Sequence, residues 1–150
     1  MDIQFTSKKV GEILRKGNLR IPSYQRPYKW DRKHIRNLFY DLQDAMGKRE
    51  YQVGSVILHE NDGHLDIVDG QQRLISISLL LHLLDYVNNY EGATQLLSTE
   101  FGELSCYHAS ENYNEWQNLT RLVGEKQTKN ICEFLLENCS ISCIIMPEER

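Results

Sequence analysis

Ile67-Val68-Asp69-Gly70-Gln71-Gln72-Arg73-Leu74 takes a short apolar run into Asp-Gly and then directly into a helical pattern. Leu74, Ile77, Leu81, Leu84 and Val87 follow at helical spacing. The stretch predicts a strand, a tight turn and a long helix, with Gly70 to Arg73 at the helix start. The first turn of a helix leaves backbone N–H groups unpaired, and the positive end of its dipole favours an anion. Gly70 lets a ligand approach the backbone closely, and Arg73 adds a planar fork of donors suited to phosphate. Gln71 and Gln72 add neutral donors and acceptors. The plain alternative is an Asp-Gly turn in which Asp69 merely caps the helix.

Upstream, the turn is fed by a hairpin. Tyr51 to His59 is β-rich, Asn61-Asp62-Gly63 supplies a turn, and Leu65 to Val68 returns. Further back, residues 21–30 read Ile-Pro-Ser-Tyr-Gln-Arg-Pro-Tyr-Lys-Trp. Two prolines make a helix there unfavourable, so the segment reads as an extended loop. Its side chains (Tyr24, Gln25, Arg26, Tyr28, Lys29, Trp30) suit a ligand-lining loop better than a core strand. Packing of Tyr28 and Trp30 onto the next helix is the competing reading. Asp31 starts that helix, whose apolar stripe is Ile35, Leu38, Phe39, Leu42 and Met46.

Taken together these segments resemble the N-terminal domain of GmrSD-type restriction endonucleases, a group related to the ParB/sulfiredoxin-like fold. The resemblance rests on four pieces in order: the box at residues 21–30, Leu38-x-x-Asp41, Gly54-Ser55, and Asp69-Gly70-Gln71-Gln72-Arg73. It is firm over about residues 5–88 and fainter beyond, where Asn112-Tyr113 and the run Ile141–Met146 still fit. It implies an α+β fold with a small mixed sheet and a helical C-terminal half. Residues 1–90 would form a ParB-like nucleotide- and DNA-binding core, and 91–150 a helical extension ending in a strand, within the same domain.

The same resemblance implies binding and hydrolysis of a nucleoside triphosphate with Mg²⁺, in a modification-dependent DNA restriction system of the phage-defence kind. Carried over by motif, Asp69, Arg73 and Arg26 would be catalytic, with Asp69 also the metal ligand. Gly70, Gln71, Gln72 and Gln25 would hold the nucleotide, and Tyr24, Tyr28, Trp30 and Lys29 would touch DNA or a base. Asp41 and Asp44 are candidate helper acids, with ordinary helix-surface carboxylates as the competing reading. The implied partners are DNA, modified or not, and an HNH-type nuclease on the same or another chain, with a homo-oligomer also allowed. The chain stops soon after a strand-like run, so DNA cleavage by it alone is not expected. The alternative is a non-catalytic nucleotide- or DNA-binding switch, or a protein-interaction module lacking its nuclease.

Composition is that of an ordinary globular domain: 150 residues, 41% hydrophobic and 25% charged. Met1 to Val10 lacks the apolar core of a signal peptide, and Leu74 to Leu84 is too short to span a bilayer, so the chain reads as cytoplasmic. Cys106, Cys132, Cys139 and Cys143 form no CxxC pair and read as buried thiols. His82, within the apolar helix, reads as structural. The net charge of −4 conceals an asymmetry. Residues 1–50 hold 12 Lys and Arg against 6 Asp and Glu, a net of +6, while residues 51–150 hold 5 against 15, a net of −10. Any polyanion-facing surface is expected in the first third, along Arg20, Arg26, Lys29, Arg32, Lys33 and Arg36.

Along the rest of the chain, Thr6 or Ser7 is expected to cap a first helix containing Val10, Ile13 and Leu14, and Leu19–Ile21 to form a short strand. Helices are expected over about Ala93–Phe101, Ser110–Val123 and Gln127–Asn138, followed by the β-like Ile141–Met146.

Overall fold

Side chains from Leu74 to Leu81 are all buried, so this helix is covered on every side. A helix apolar all round belongs in the middle of a fold. This helix, α3 (Gln71–Leu83), is packed by α4 (Glu91–Leu97) and α5 (Tyr107–Val123). Its two buried serines stay satisfied by bonding back along their own helix. Ser76 donates to the Gln72 carbonyl and Ser78 to the Leu74 carbonyl, each at 2.8 Å. The computed structural model describes residues 2–22, 24–25, 27–48, 50–99 and 106–148.

Beside these helices lies a five-stranded mixed sheet in the order β1-β5-β3-β4-β2. Its strands are β1 (Gln4–Lys9), β2 (Leu19–Arg20), β3 (Tyr51–Asn61), β4 (His64–Asp69) and β5 (Cys139–Met146). The β3–β4 hairpin turns through Asp62 and Gly63, both at positive φ (53° and 80°), as a two-residue hairpin requires. β5 runs parallel to β3 and antiparallel to β1, and β2 runs parallel to β4. One face of the sheet is buried through Val56, Cys143, Leu58 and Ile67. Aligned pairs on the other face, Ser55 with Ser142 and Ile57 with Ile144, remain partly or wholly exposed.

The expected mixture of a small mixed sheet and a helical C-terminal half is what is observed: α+β, with α4, α5 and α6 (Glu125–Asn138) preceding β5. The chain's late strand completes the sheet between its first two long strands in sequence, so β3 and β1 are bridged by residues 139–146. α2 (Arg32–Ala45) begins as expected, with the Asp31 carboxylate accepting from the N–H groups of Lys33 and His34.

Three expectations need correction. Residues 4–9 form β1, so neither Thr6 nor Ser7 caps a helix, and α1 (Val10–Arg15) follows with Lys9 at its N-cap. Their polar composition conceals the strand, which forms because β5 offers an edge to pair with. α3 also ends at Leu83, before Val87, because Asp85 takes a left-handed φ of 62° and Val87–Asn89 form a separate 3-10 turn. The helix expected to reach Phe101 closes at Leu97, and Phe101 lies outside the described residues. His82 is exposed, with its ring 5.6 Å from that of Tyr113.

Candidate functional site

The strand, turn and helix form where expected, and the cap is not Asp69. Gly70 caps α3 at φ 105°, with no side-chain cap bond, and Asp69 stands exposed at the end of β4. A Cβ at position 70 would stand 3.0 Å from Val56 Cγ2 and 3.1 Å from the Ser55 carbonyl. Glycine is thus demanded twice, by backbone conformation and by the close approach of β3. The result is an uncapped helix start with Arg73 in its first turn.

Arg73 does not extend into solvent. Its guanidinium lies over the ring of Trp30, with Cζ 5.5 Å from the ring centroid, and its other side covers Gly54. Its Nε is buried and has no hydrogen-bond partner among the described residues. Trp30 in turn stacks on His34, with centroids 5.1 Å apart. Arg73 and Trp30 help to line a cavity of about 220 Å³ shared with His34, Asn37, Leu38, Asp41, Tyr51 and Val53. Partial burial raises the Tyr51 phenol above its usual range; the Asp41 carboxylate adds to the rise and the Arg73 guanidinium opposes it.

All four sequence pieces therefore meet around one arginine: Trp30 from the 21–30 box, Leu38 and Asp41 from α2, Gly54 from β3, and Arg73 itself. Sequence separation hid this, because the pieces lie on four different elements. Asp44, also considered as an acid near the site, does not line the cavity.

The glutamines hold the loop. The Gln72 side-chain oxygen accepts from the N–H groups of Lys29 (2.8 Å) and Trp30 (3.1 Å), and its amide donates to the Pro27 carbonyl (3.1 Å). Gln25 donates to the Val68 carbonyl at 2.7 Å, tying the loop to the end of β4. Gln71 is buried at 3% exposure, with its side-chain oxygen unpartnered among the described residues. Arg26 lies outside the described residues.

Of the aromatic side chains expected to touch DNA or a base, Tyr28 has the structural role instead. It is 1% exposed, its hydroxyl lies 2.5 Å from Ser76 Oγ, and it accepts from the Asn112 amide at 2.8 Å. Burial pushes its phenol up to about 12. With no open face, the ring cannot stack on a base in this conformation. Asn112 also donates to the Trp30 carbonyl at 2.7 Å, so α5 holds the loop from behind. Trp116 of the same helix donates to the Ser76 carbonyl at 2.9 Å. The family resemblance includes Asn112 but gives it no role. A polar residue at 112, four positions before Trp116 on the buried face of α5, was the available signal. Tyr24, 68% exposed, and Lys29 are open to a partner, and Trp30 is half-buried.

Part of the charge asymmetry is folded into ion pairs. Arg20 pairs with Asp66 at 2.6 Å, Arg36 with Glu115 at 3.3 Å, and Arg32 with Glu111. Three basic groups of the first third thus meet acids from the later two-thirds. Three of the four cysteines expected to be buried are so: burial raises Cys132 and Cys139 to about 12 and pushes Cys143 up as well, whereas Cys106, at the start of α5, is only partly buried. No described helix is long and apolar enough to cross a membrane.

Residues 10–146 match the family described as GmrSD restriction endonuclease, N-terminal domain. Among curated proteins, none matches the chain. With the match running from α1 to the end of β5, the chain belongs to the GmrSD restriction endonuclease N-terminal domain family.

Proposed function

We propose that this chain is the nucleotide-binding domain of a DNA restriction system and that it hydrolyses a nucleoside triphosphate at the Asp69–Arg73 corner. The observation that carries the reading is the convergence of four separate chain segments on Arg73, beside a helix start that no side chain caps. Such a helix start attracts phosphate through free N–H groups and its dipole. Phosphoryl transfer needs positioned positive charge above all, and Arg73 supplies it, with Arg26 the candidate from the facing loop. Gly70 serves by making the turn that brings β3 against the helix start. Gln25 and Gln72 serve by holding the loop against the corner, and the buried Gln71 side-chain oxygen has no partner among the described residues.

No group of three His, Cys, Asp or Glu able to hold a metal occurs among the described residues. That fits Mg²⁺ arriving with its nucleotide, since Mg²⁺ keeps water and phosphate ligands and needs only one or two carboxylates. Asp69, exposed at the end of β4, is the residue to supply one. The ion would then neutralise phosphate charge. Within a restriction system, the family supports DNA and an associated nuclease domain as partners. Tyr24, Lys29 and the exposed edge of Trp30 are the side chains offered to DNA.

Calorimetric titration of each ribonucleoside triphosphate with Mg²⁺ into wild type and Arg73→Ala tests the site. Saturable binding to wild type, lost in the variant, is the expected result. A folded wild type that binds none of the four would end the reading. Phosphate release measured on the same samples separates a hydrolase from a binding switch.

A further inference from the structure

The sheet ends on a strand with one free side. β1 pairs with β5 alone, and Gln4 to Ser7 are exposed. At the opposite edge β2 is only two residues long, and its Leu19 is buried. An edge strand carries a row of unpaired N–H and C=O groups, which is a template for a further strand. Short length, charges along the strand or a covering segment blunt most edges. β1 has six residues and carries its charges, Lys8 and Lys9, at one end. Its other end holds exposed apolar side chains, Phe5 at 75% and Ile3 at 50%.

Register places these side chains on the open face of the sheet. Phe5 aligns with Ile144 of β5, which aligns with Ile57 of β3. The three form an apolar row that runs to the free edge and stops at Phe5. Ile3 shares the side of Phe5 by strand alternation. Thr6 and Lys8 align instead with the buried Cys143 and Ile141, on the helix-covered face. Asp2, exposed just before the strand, continues that side. Neither Asp2 nor Lys8 makes an ion pair among the described residues.

A second copy of this chain answers both patterns at once. A twofold axis through Phe5, perpendicular to the sheet, sets β1 antiparallel to its equivalent and keeps each face continuous. Phe5 then stands opposite Phe5 of the second copy, joining the two apolar rows, and Ile3 stands opposite Ser7. On the other face Asp2 comes opposite Lys8, twice by symmetry, and Gln4 opposite Thr6. Opposite charges across a strand pair are favourable, and like charges are not. Sliding the copies by two residues loses the match. One slide faces Lys8 with Gln4 and Phe5 with Ser7, and the other faces Asp2 with Thr6.

We infer that this chain forms a homodimer by antiparallel pairing of β1 with β1 of a second copy, in register about Phe5, so that two five-stranded sheets become one. β5 and β3 separate this edge from β4, so the inference stands or falls without the nucleotide reading. Sedimentation equilibrium of the 150-residue chain from ~5 μM to ~0.5 mM tests it, with circular dichroism confirming each fold. Wild type is expected to dimerise reversibly within that range. Phe5→Lys should weaken the dimer at least about tenfold, because it sets like charges opposite each other at the centre. Asp2→Lys and Lys8→Asp should each weaken it about threefold or more, and the two changes combined should restore wild-type affinity. A wild type that stays monomeric throughout would overturn the proposal and leave the edge to a strand of a different protein. A dimer indifferent to Phe5→Lys would overturn it too, because the copies would then meet elsewhere. So would a double variant no tighter than the single ones, since Asp2 and Lys8 would not face each other.

Discussion

Gly54 on β3 and Arg73 on α3 share one space: a Cβ built on Gly54 would fall on the Arg73 guanidinium. The glycine also sits at φ 146°, inside the range that L side chains rarely adopt. It adjoins the place where β3 slips register against β5, between Gln52 and Gly54. The irregularity lies at the seat of Arg73, and it links a strand defect to the placement of that arginine.

Gly54→Ala should therefore damage both stability and ligand binding. Strain at a special backbone position costs on the order of 1–3 kcal/mol, and the methyl would push the guanidinium off its seat. Thermal melting and nucleotide titration measured together are the check. A variant that melts and binds like wild type would show that Arg73 does not depend on this seat.

Gln72→Ala removes all three bonds that the side chain makes to residues 27–30. A typical net value for a hydrogen bond suggests a loss of about 1 kcal/mol, because these loop groups are exposed or only part-buried and can turn to water. Hydrogen exchange should quicken at the amides of Lys29 and Trp30 while the middle of α3 keeps its protection. Unchanged exchange at both amides would mean that Asn112 and Gln25 hold the loop without help.

Acid should weaken the sheet edge through Asp66. The hydrogen bond from Arg20 holds the Asp66 carboxyl below its ordinary range, and Asn61 adds to the effect while desolvation opposes it. A carboxyl whose folded pKa lies below its unfolded value stabilises fully above the unfolded value, about 4. That contribution is lost as pH falls through the lower, folded value. Melting temperature should thus fall on acidification below about pH 4 more steeply for wild type than for Asp66→Asn. Parallel curves for the two proteins would refute a role for this pair in acid stability.

Much of the local structure was legible because its causes are local. Asp31 as a cap, the Asp62-Gly63 turn, the apolar stripe of α2 and the break between β4 and α3 each depend on residues within a few positions. The family resemblance gathered the same segments without showing their geometry. Strand β1 was illegible for the opposite reason. Apart from Phe5 and Thr6 its residues (Gln4, Ser7, Lys8 and Lys9) have little β-propensity, and pairing with β5, over a hundred residues later, makes them a strand.

By itself, the sequence determined the elements whose stability comes from neighbours along the chain, together with the chemistry available at the Asp69–Arg73 turn. Only the tertiary structure decided how that chemistry is used. It sent Tyr28 into the core and turned Gln72 and Gln25 into loop clamps. It paired three arginines of the basic first third with distant acids, and it seated Arg73 between Trp30 and Gly54 beside Asp41. Side-chain direction, burial and charge pairing depend on which elements meet, and local sequence does not specify those meetings.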